Sequence, residues 1–218
     1  MKTMIAIAAA ATLGLGTLGT DLPAQGVARP AAEDWVIGPV IRGRNHSVGA
    51  PLHPTPRRDG SFHIDIPRAP GSVHYVTFPH GSLAGKRRIV MDYRVEAAPG
   101  VRIVPATEPR TGPSMITLYF QRRGDTWTAR GPYEAYRWYA TFATHAPLRP
   151  GTFRMVAPLT GKWTAVQRSN AFTAPGAFRD ALQGAGEVGF VLGGGSGYGH
   201  GVSATGPARI VVTSFRVE

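Results

Sequence analysis

Ile89-Val90-Met91-Asp92-Tyr93-Arg94-Val95-Glu96 is the stretch on which the fold turns. Ile89, Met91, Tyr93 and Val95 occupy alternate positions, with Val90, Asp92, Arg94 and Glu96 between them. Successive side chains of an extended chain point to opposite faces, so the stretch predicts a strand with Ile89, Met91, Tyr93 and Val95 inward and the other four outward. The rhythm recurs on both sides. In 61–66, Phe62, Ile64 and Ile66 alternate with Ser61, His63 and Asp65, and 73–78 is rich in β-branched and aromatic residues. In 116–123, Ile116, Leu118 and Phe120 alternate with Thr117, Tyr119, Gln121 and Arg123 before a Gly124-Asp125 turn.

Further extended segments are expected at 127–130, 133–144, 152–157, 163–167, 187–192 and 209–217, separated by Gly, Pro and Asp. Short strands punctuated in this way predict an all-β chain, an antiparallel two-sheet β-sandwich of the jelly-roll kind. Helix is expected only at 177–183, opening after Pro175-Gly176 and closing at Gly184, where glycine can take the left-handed conformation that ends helices.

Lys2 precedes an uncharged, alanine-rich stretch from Met4 to Leu18, followed by small and polar residues. That pattern predicts a signal peptide over 1–28, cleaved after Ala28 or Ala24, and a secreted or periplasmic destination. No later segment has the roughly 20 apolar residues a membrane helix needs. Residues 29–34 read as a tether and 35–218 as one domain, since about 190 residues suit a single sandwich. The chain has no cysteine, so neither a disulfide framework nor a lipidated cysteine can support it, and an ordinary core must.

The formal net charge is +11, carried by arginines spread along the chain, with doublets at Arg57-Arg58, Arg87-Arg88 and Arg122-Arg123. Scattered positive charge attracts polyanions in general without naming one. Nucleic acid is not expected as a partner, because the arginines form no reading element.

The 161–218 region resembles the galactose-binding-like jelly-roll superfamily, which contains many carbohydrate-binding modules. The likeness rests on Gly161-Lys162-Trp163-Thr164-Ala165-Val166, on Phe178 ahead of Val188-Gly189-Phe190-Val191-Leu192, on the glycine-rich loop to Gly201, and on Ala208 to Val217 as a closing strand. The resemblance implies a jelly roll and carbohydrate as ligand. Members often hold a structural calcium near the closing strand with acidic side chains; this chain has Thr213-Ser214 there, and no metal or other cofactor is expected.

A strand through 133–142 would place Tyr136, Trp138, Ala140 and Phe142 on the core face and Tyr133, Arg137, Tyr139 and Thr141 on the other. Paired with the preceding strand, that second face would gain Tyr119, Gln121 and Arg123. Sugar rings lay polarised C–H patches on aromatic faces while their hydroxyls need directional partners, so alternating aromatic and polar groups suit a glycan. Trp127, just past the turn, and Tyr198, in the Gly193–Gly201 loop, are added as contacts. The expectation is a non-catalytic carbohydrate-binding protein for an acidic glycan. The same tyrosines could instead cover a sheet with their hydroxyls at its edge.

Two other classes stay open. A glycosidase would need two carboxylates to converge from among Asp65, Asp92, Glu96, Asp125, Glu134 and Glu187, and a polysaccharide lyase could use Tyr119, Gln121, Arg137 and Tyr139. An envelope interaction module would use a sheet face or edge. The seven histidines show no HExxH spacing, and Tyr198 occupies the second glycine position that would make Ser196 a nucleophile elbow.

Overall fold

The computed structural model describes residues 30–107 and 112–218. The expected leader at 1–28 lies outside the described residues. Ten strands carry the architecture: β1 (Val36–Gly38), β2 (Phe62–Asp65), β3 (Tyr75–Pro79), β4 (Arg88–Ala97), β5 (Met115–Arg122), β6 (Arg137–Tyr139), β7 (Gly151–Pro158), β8 (Thr164–Ala165), β9 (Ala185–Gly193) and β10 (Ala208–Val217). One helix, α1 (Pro175–Gln183), accompanies them. The first sheet runs β1-β3-β9-β5-β6-β8, with Ala146–Pro147 pairing alongside β5. The second runs β7-β4-β10-β2 and ends on Thr55–Pro56. These pairings are antiparallel, and the chain is an all-β two-sheet sandwich.

The inward set Ile89, Met91, Tyr93 and Val95 is buried as the alternation predicts. Val90 departs from its expected outward exposure: it is fully buried, because Val156 and Arg216 sit directly opposite it on the outer face and cover it. Trp35 locks the two sheets together. Its ring lies 4.6 Å from Phe78 and 6.1 Å from Phe190 of the first sheet, and 4.9 Å from Phe62 and 5.1 Å from Phe215 of the second. The expected tether is partly built into the fold, since 32–34 form a turn of 3₁₀ helix and Ala32 is buried.

Two bulges break the period of two. Between Val212 and Ser214 the register of β10 against β4 shifts, so Ile210 and Val212 face inward before the break and Phe215 and Val217 after it. Between Ala185 and Glu187 a second shift lets both Ala185 and Val188 reach the core. An extra residue on one strand turns the following side chains to the opposite face.

The expected strands at 127–130 and 133–144 are not formed as such. Trp127 and Ala129 have φ of +64° and +52°, outside the extended region, and 131–133 are a 3₁₀ turn, so only Arg137–Tyr139 pairs. After Tyr139 the chain turns, with the N–H groups of Ala143 and Thr144 donating to the carbonyl of Ala140. Phe142 is thereby 65% exposed and not a core residue. Residues 163–167 pair only through Thr164–Ala165. α1 starts two residues earlier than expected, with Pro175 and Gly176 in its first turn, and buries Phe178 against Trp138 at 4.8 Å. Gly184 closes it at φ −92°, so the expected left-handed cap is absent.

Candidate functional site

The face of the first sheet opposite the core is where the unusual chemistry gathers. Register places Tyr139 against Tyr119 and Arg137 against Gln121, the adjacency anticipated from sequence. The neighbouring strand sets Glu187 against Gln121, and beyond it Glu187 against Pro79 and Val191 against Tyr75. Residues directly opposite in an antiparallel pair share a face. One surface therefore carries Tyr75, Thr77, Tyr119, Gln121, Arg137, Tyr139 and Glu187.

This surface is covered, not open. Tyr119, Tyr139, Gln121 and Arg137 are all buried. An open platform built on them is therefore ruled out, because the loop after Gly124 lays Trp127 across them and the glycine-rich loop lays Tyr198 against Tyr139 at 4.7 Å. Gly199 allows that close approach: a Cβ there would meet the Tyr75 ring at 2.5 Å. His145 braces the same loop, its ring nitrogens reaching Thr117 Oγ1 at 3.0 Å and the Gly195 carbonyl at 3.2 Å. Of the other expected residues, Arg123 is exposed on the turn and Tyr133 is half-buried against Tyr136; neither joins the cluster.

Inside the cluster the polar groups are paired. The hydroxyls of Tyr75 and Tyr139 lie 2.9 Å apart, and Tyr119 donates to Gln121 Oε1 at 2.6 Å. Burial raises the phenols of Tyr119 and Tyr139 well above the usual tyrosine value, so these are neutral hydroxyls. Arg137 Nε lies 3.0 Å from Asp125 Oδ2, an ion pair not aligned as a hydrogen bond, with the aspartate side chain fully enclosed. Its guanidinium also sits over the Trp127 ring at 4.9 Å and donates to the Trp127 carbonyl at 3.3 Å, while Asp125 Oδ1 accepts from the Trp127 N–H. The pair thus holds Trp127 in place from below.

Beside Trp127 is a cavity of about 140 Å³ whose wall includes Tyr75, Thr77, Phe78 and Glu187. Glu187 is the principal residue that the sequence-derived binding face omitted. Alternation along β9 sets Glu187 on the face opposite the core residues Val188, Phe190 and Leu192, and Thr77 donates to its Oε2 at 2.8 Å. Burial pushes the Glu187 carboxyl above its usual range, Thr77 opposing and the Asp125 charge reinforcing the rise. Burial also raises Asp125, against the pull of Arg137. Of the six carboxylates considered from sequence, Glu187 lines this cavity and Asp125 is enclosed in its ion pair with Arg137. Asp65, Asp92 and Glu96 are instead committed to arginines on the outer face of the second sheet. Among the described residues no three metal-ligating side chains cluster.

No family model and no curated protein matches the chain. Solved structures overlap it loosely. One, reported with endo-acting O-glycanases that prominent members of the human gut microbiota express to initiate mucin breakdown, shares 11% identity at a TM-score of 0.41, over 89% of this chain and 95% of that one. Another, from Bacteroides vulgatus ATCC 8482 and provisionally described as a glycoside hydrolase, shares 9% identity at a TM-score of 0.37, over 76% of this chain and 78% of that one. Overlaps this loose transfer neither family membership nor site residues.

Proposed function

We propose that the chain binds carbohydrate, and that the cavity between Trp127 and Glu187 takes one sugar unit. The observation that carries the reading is the cavity wall itself: an indole and a phenol beside a carboxyl that Thr77 orients. An aromatic surface suits the C–H face of a sugar ring, and a carboxyl and hydroxyl suit its directional hydroxyls. The resemblance of the 161–218 region to galactose-binding-like jelly rolls agrees with this, and the expected leader would place the protein in the periplasm or outside the cell.

The sugar at this position is proposed to be neutral. The one arginine in the cluster is already committed to Asp125, and Glu187 would repel an anionic ring whenever it ionised. A lyase reading loses support, because Tyr119, Gln121, Arg137 and Tyr139 lie under Trp127 and Tyr198. A glycosidase remains the second reading, favoured by one observation: the Glu187 carboxyl stands in the cavity wall and burial raises it, and a carboxyl that keeps its proton is what a general acid requires.

Affinity electrophoresis through galactan, mannan, xylan and β-glucan gels tests the reading. The folded protein should be retarded by at least one gel, with retardation weakening as pH rises through the raised Glu187 value, because the neutral carboxyl donates a hydrogen bond. Glu187→Gln should bind without that pH dependence; if reducing ends are released by the wild type, the variant should release none. A folded protein that no gel retards at any pH would remove the proposal.

A further inference from the structure

On the other side of Tyr198 lies an open groove of about 420 Å³, lined by Thr141, Phe142, Lys162, Thr164, Arg168, Asn170, Ser196 and Tyr198. It is continuous with the candidate site through packed rings. Tyr198 contacts Tyr139, the Tyr139 hydroxyl meets that of Tyr75, and Tyr75 packs on Trp127 at 5.1 Å. The two openings therefore stand at the ends of one aromatic row on the same sheet face.

The charge of the groove is one-sided. Lys162 and Arg168 line it with no carboxylate among its lining residues, and neither is in an ion pair among the described residues. On the second sheet, by contrast, Arg88, Arg94, Arg154, Arg209 and Arg216 each face Asp or Glu at 4 Å or less. Lys162 is positioned by Phe142, with Nζ 3.9 Å from the ring centroid. Burial raises the Tyr198 phenol while Arg168 opposes the rise, and Arg168 occupies the tip of a tight turn closed by its own N–H to the Ala165 carbonyl and by the Ala165 N–H to the Ser169 carbonyl. Its φ is +69°, where glycine would sit without strain. Arg168 thus presents its cation from a strained turn position. Thr141, Asn170 and two aromatic rings supply the hydrogen-bonding and stacking surface that a pyranose ring needs.

We propose that this groove is an anion-selective sugar subsite, taking a ring that bears a carboxylate or a sulfate, with Lys162 and Arg168 meeting the negative group. The proposal rests on the carbohydrate reading above and extends it to the substrate class, a glycan that carries both neutral and acidic units.

Calorimetric titration at low and at moderate salt with three hexasaccharides of matched length, one neutral, one uronate and one sulfated, tests it. Arg168→Gly relieves the backbone strain while removing the cation, so folding is preserved, and Lys162→Gln removes the second charge. The double variant should lose about tenfold or more in affinity for one or both anionic probes while its affinity for the neutral probe is unchanged. The arm that responds, uronate or sulfate, identifies the anion. Undiminished anionic binding by the double variant overturns the subsite. A failure of the cavity reading looks different: Trp127→Ala would leave neutral binding intact while the groove double variant still weakens anionic binding.

Discussion

Arg137→Met should lower the unfolding free energy by about 3–5 kcal/mol, the usual cost of breaking a buried ion pair from one side. Asp125 is then left enclosed without its counter-charge and must take up a proton to stay there. The same substitution removes the guanidinium under the Trp127 ring and the donor to its carbonyl, so the loop that covers the sheet face loosens with it. Replacing both partners, Arg137→Met with Asp125→Leu, should recover most of the loss, because a pair of similar-sized apolar groups leaves no buried charge. Urea denaturation of both variants checks this. A single variant within about 1 kcal/mol of wild type would mean that the pair is wet and does not organise the cover.

Trp35→Ala should cost a similar amount, about 3–5 kcal/mol, from lost burial and the cavity left between the sheets. The indole touches four phenylalanines, two from each sheet, so no one neighbour can move to fill the gap. Its Nε1 finds no acceptor among the described residues. Trp35→Phe therefore keeps most of the packing while removing an unmatched donor, and should cost far less than the alanine variant. Thermal unfolding of the two variants separates these contributions. Equal losses would show that the indole N–H is satisfied and matters.

The elements that sequence read well are those whose residues obey one simple period over several positions. β4 and β5 alternate cleanly over eight residues, and both were placed within one residue at each end. That Tyr119 and Gln121 share parity, as do Arg137 and Tyr139, was legible for the same reason, whereas their register as partners comes from the structure. What parity cannot show is what lies above a face. Tyr119 and Arg137 look like an exposed platform until Trp127 and Tyr198 arrive from loops whose course depends on positive φ at Trp127 and on close approach at Gly199. Ala129 and Arg168 also take left-handed conformations without being glycine, so composition gives no warning of those turns.

Glu187 obeys the same parity: within 187–192 it alternates with the core residues Val188, Phe190 and Leu192, and what sequence did not tell is that its strand pairs beside Gln121. The bulge matters for Ala185, which a strict period of two would put on the face of Glu187 and which is instead buried in the core. Tyr75 and Thr77 could have been found, because they alternate within a stretch already read as a strand and share parity. Phe142 went the other way, from expected core to surface, once the chain turned after Ala140. The acidic-glycan expectation came from net charge, and the structure divides that charge. Several arginines neutralise carboxylates on the second sheet, and two cations stand in the groove beside Tyr198.

The central claim is that a sugar sits against Trp127 beside Glu187, and the chain's four tryptophans offer a direct measurement of it. Trp35, Trp138 and Trp163 are buried at 1% exposure or less, whereas Trp127 is only partly buried and lines the cavity. A two-dimensional ¹H–¹⁵N spectrum of the indole region, recorded while galactose, N-acetylgalactosamine, glucose and mannose are titrated in turn, reports each indole separately. The account predicts that at least one sugar shifts the Trp127 signal in a saturable manner, leaves the other three in place, and loses its effect in Glu187→Ala. Saturable sugar binding with the Trp127 signal unmoved would contradict it.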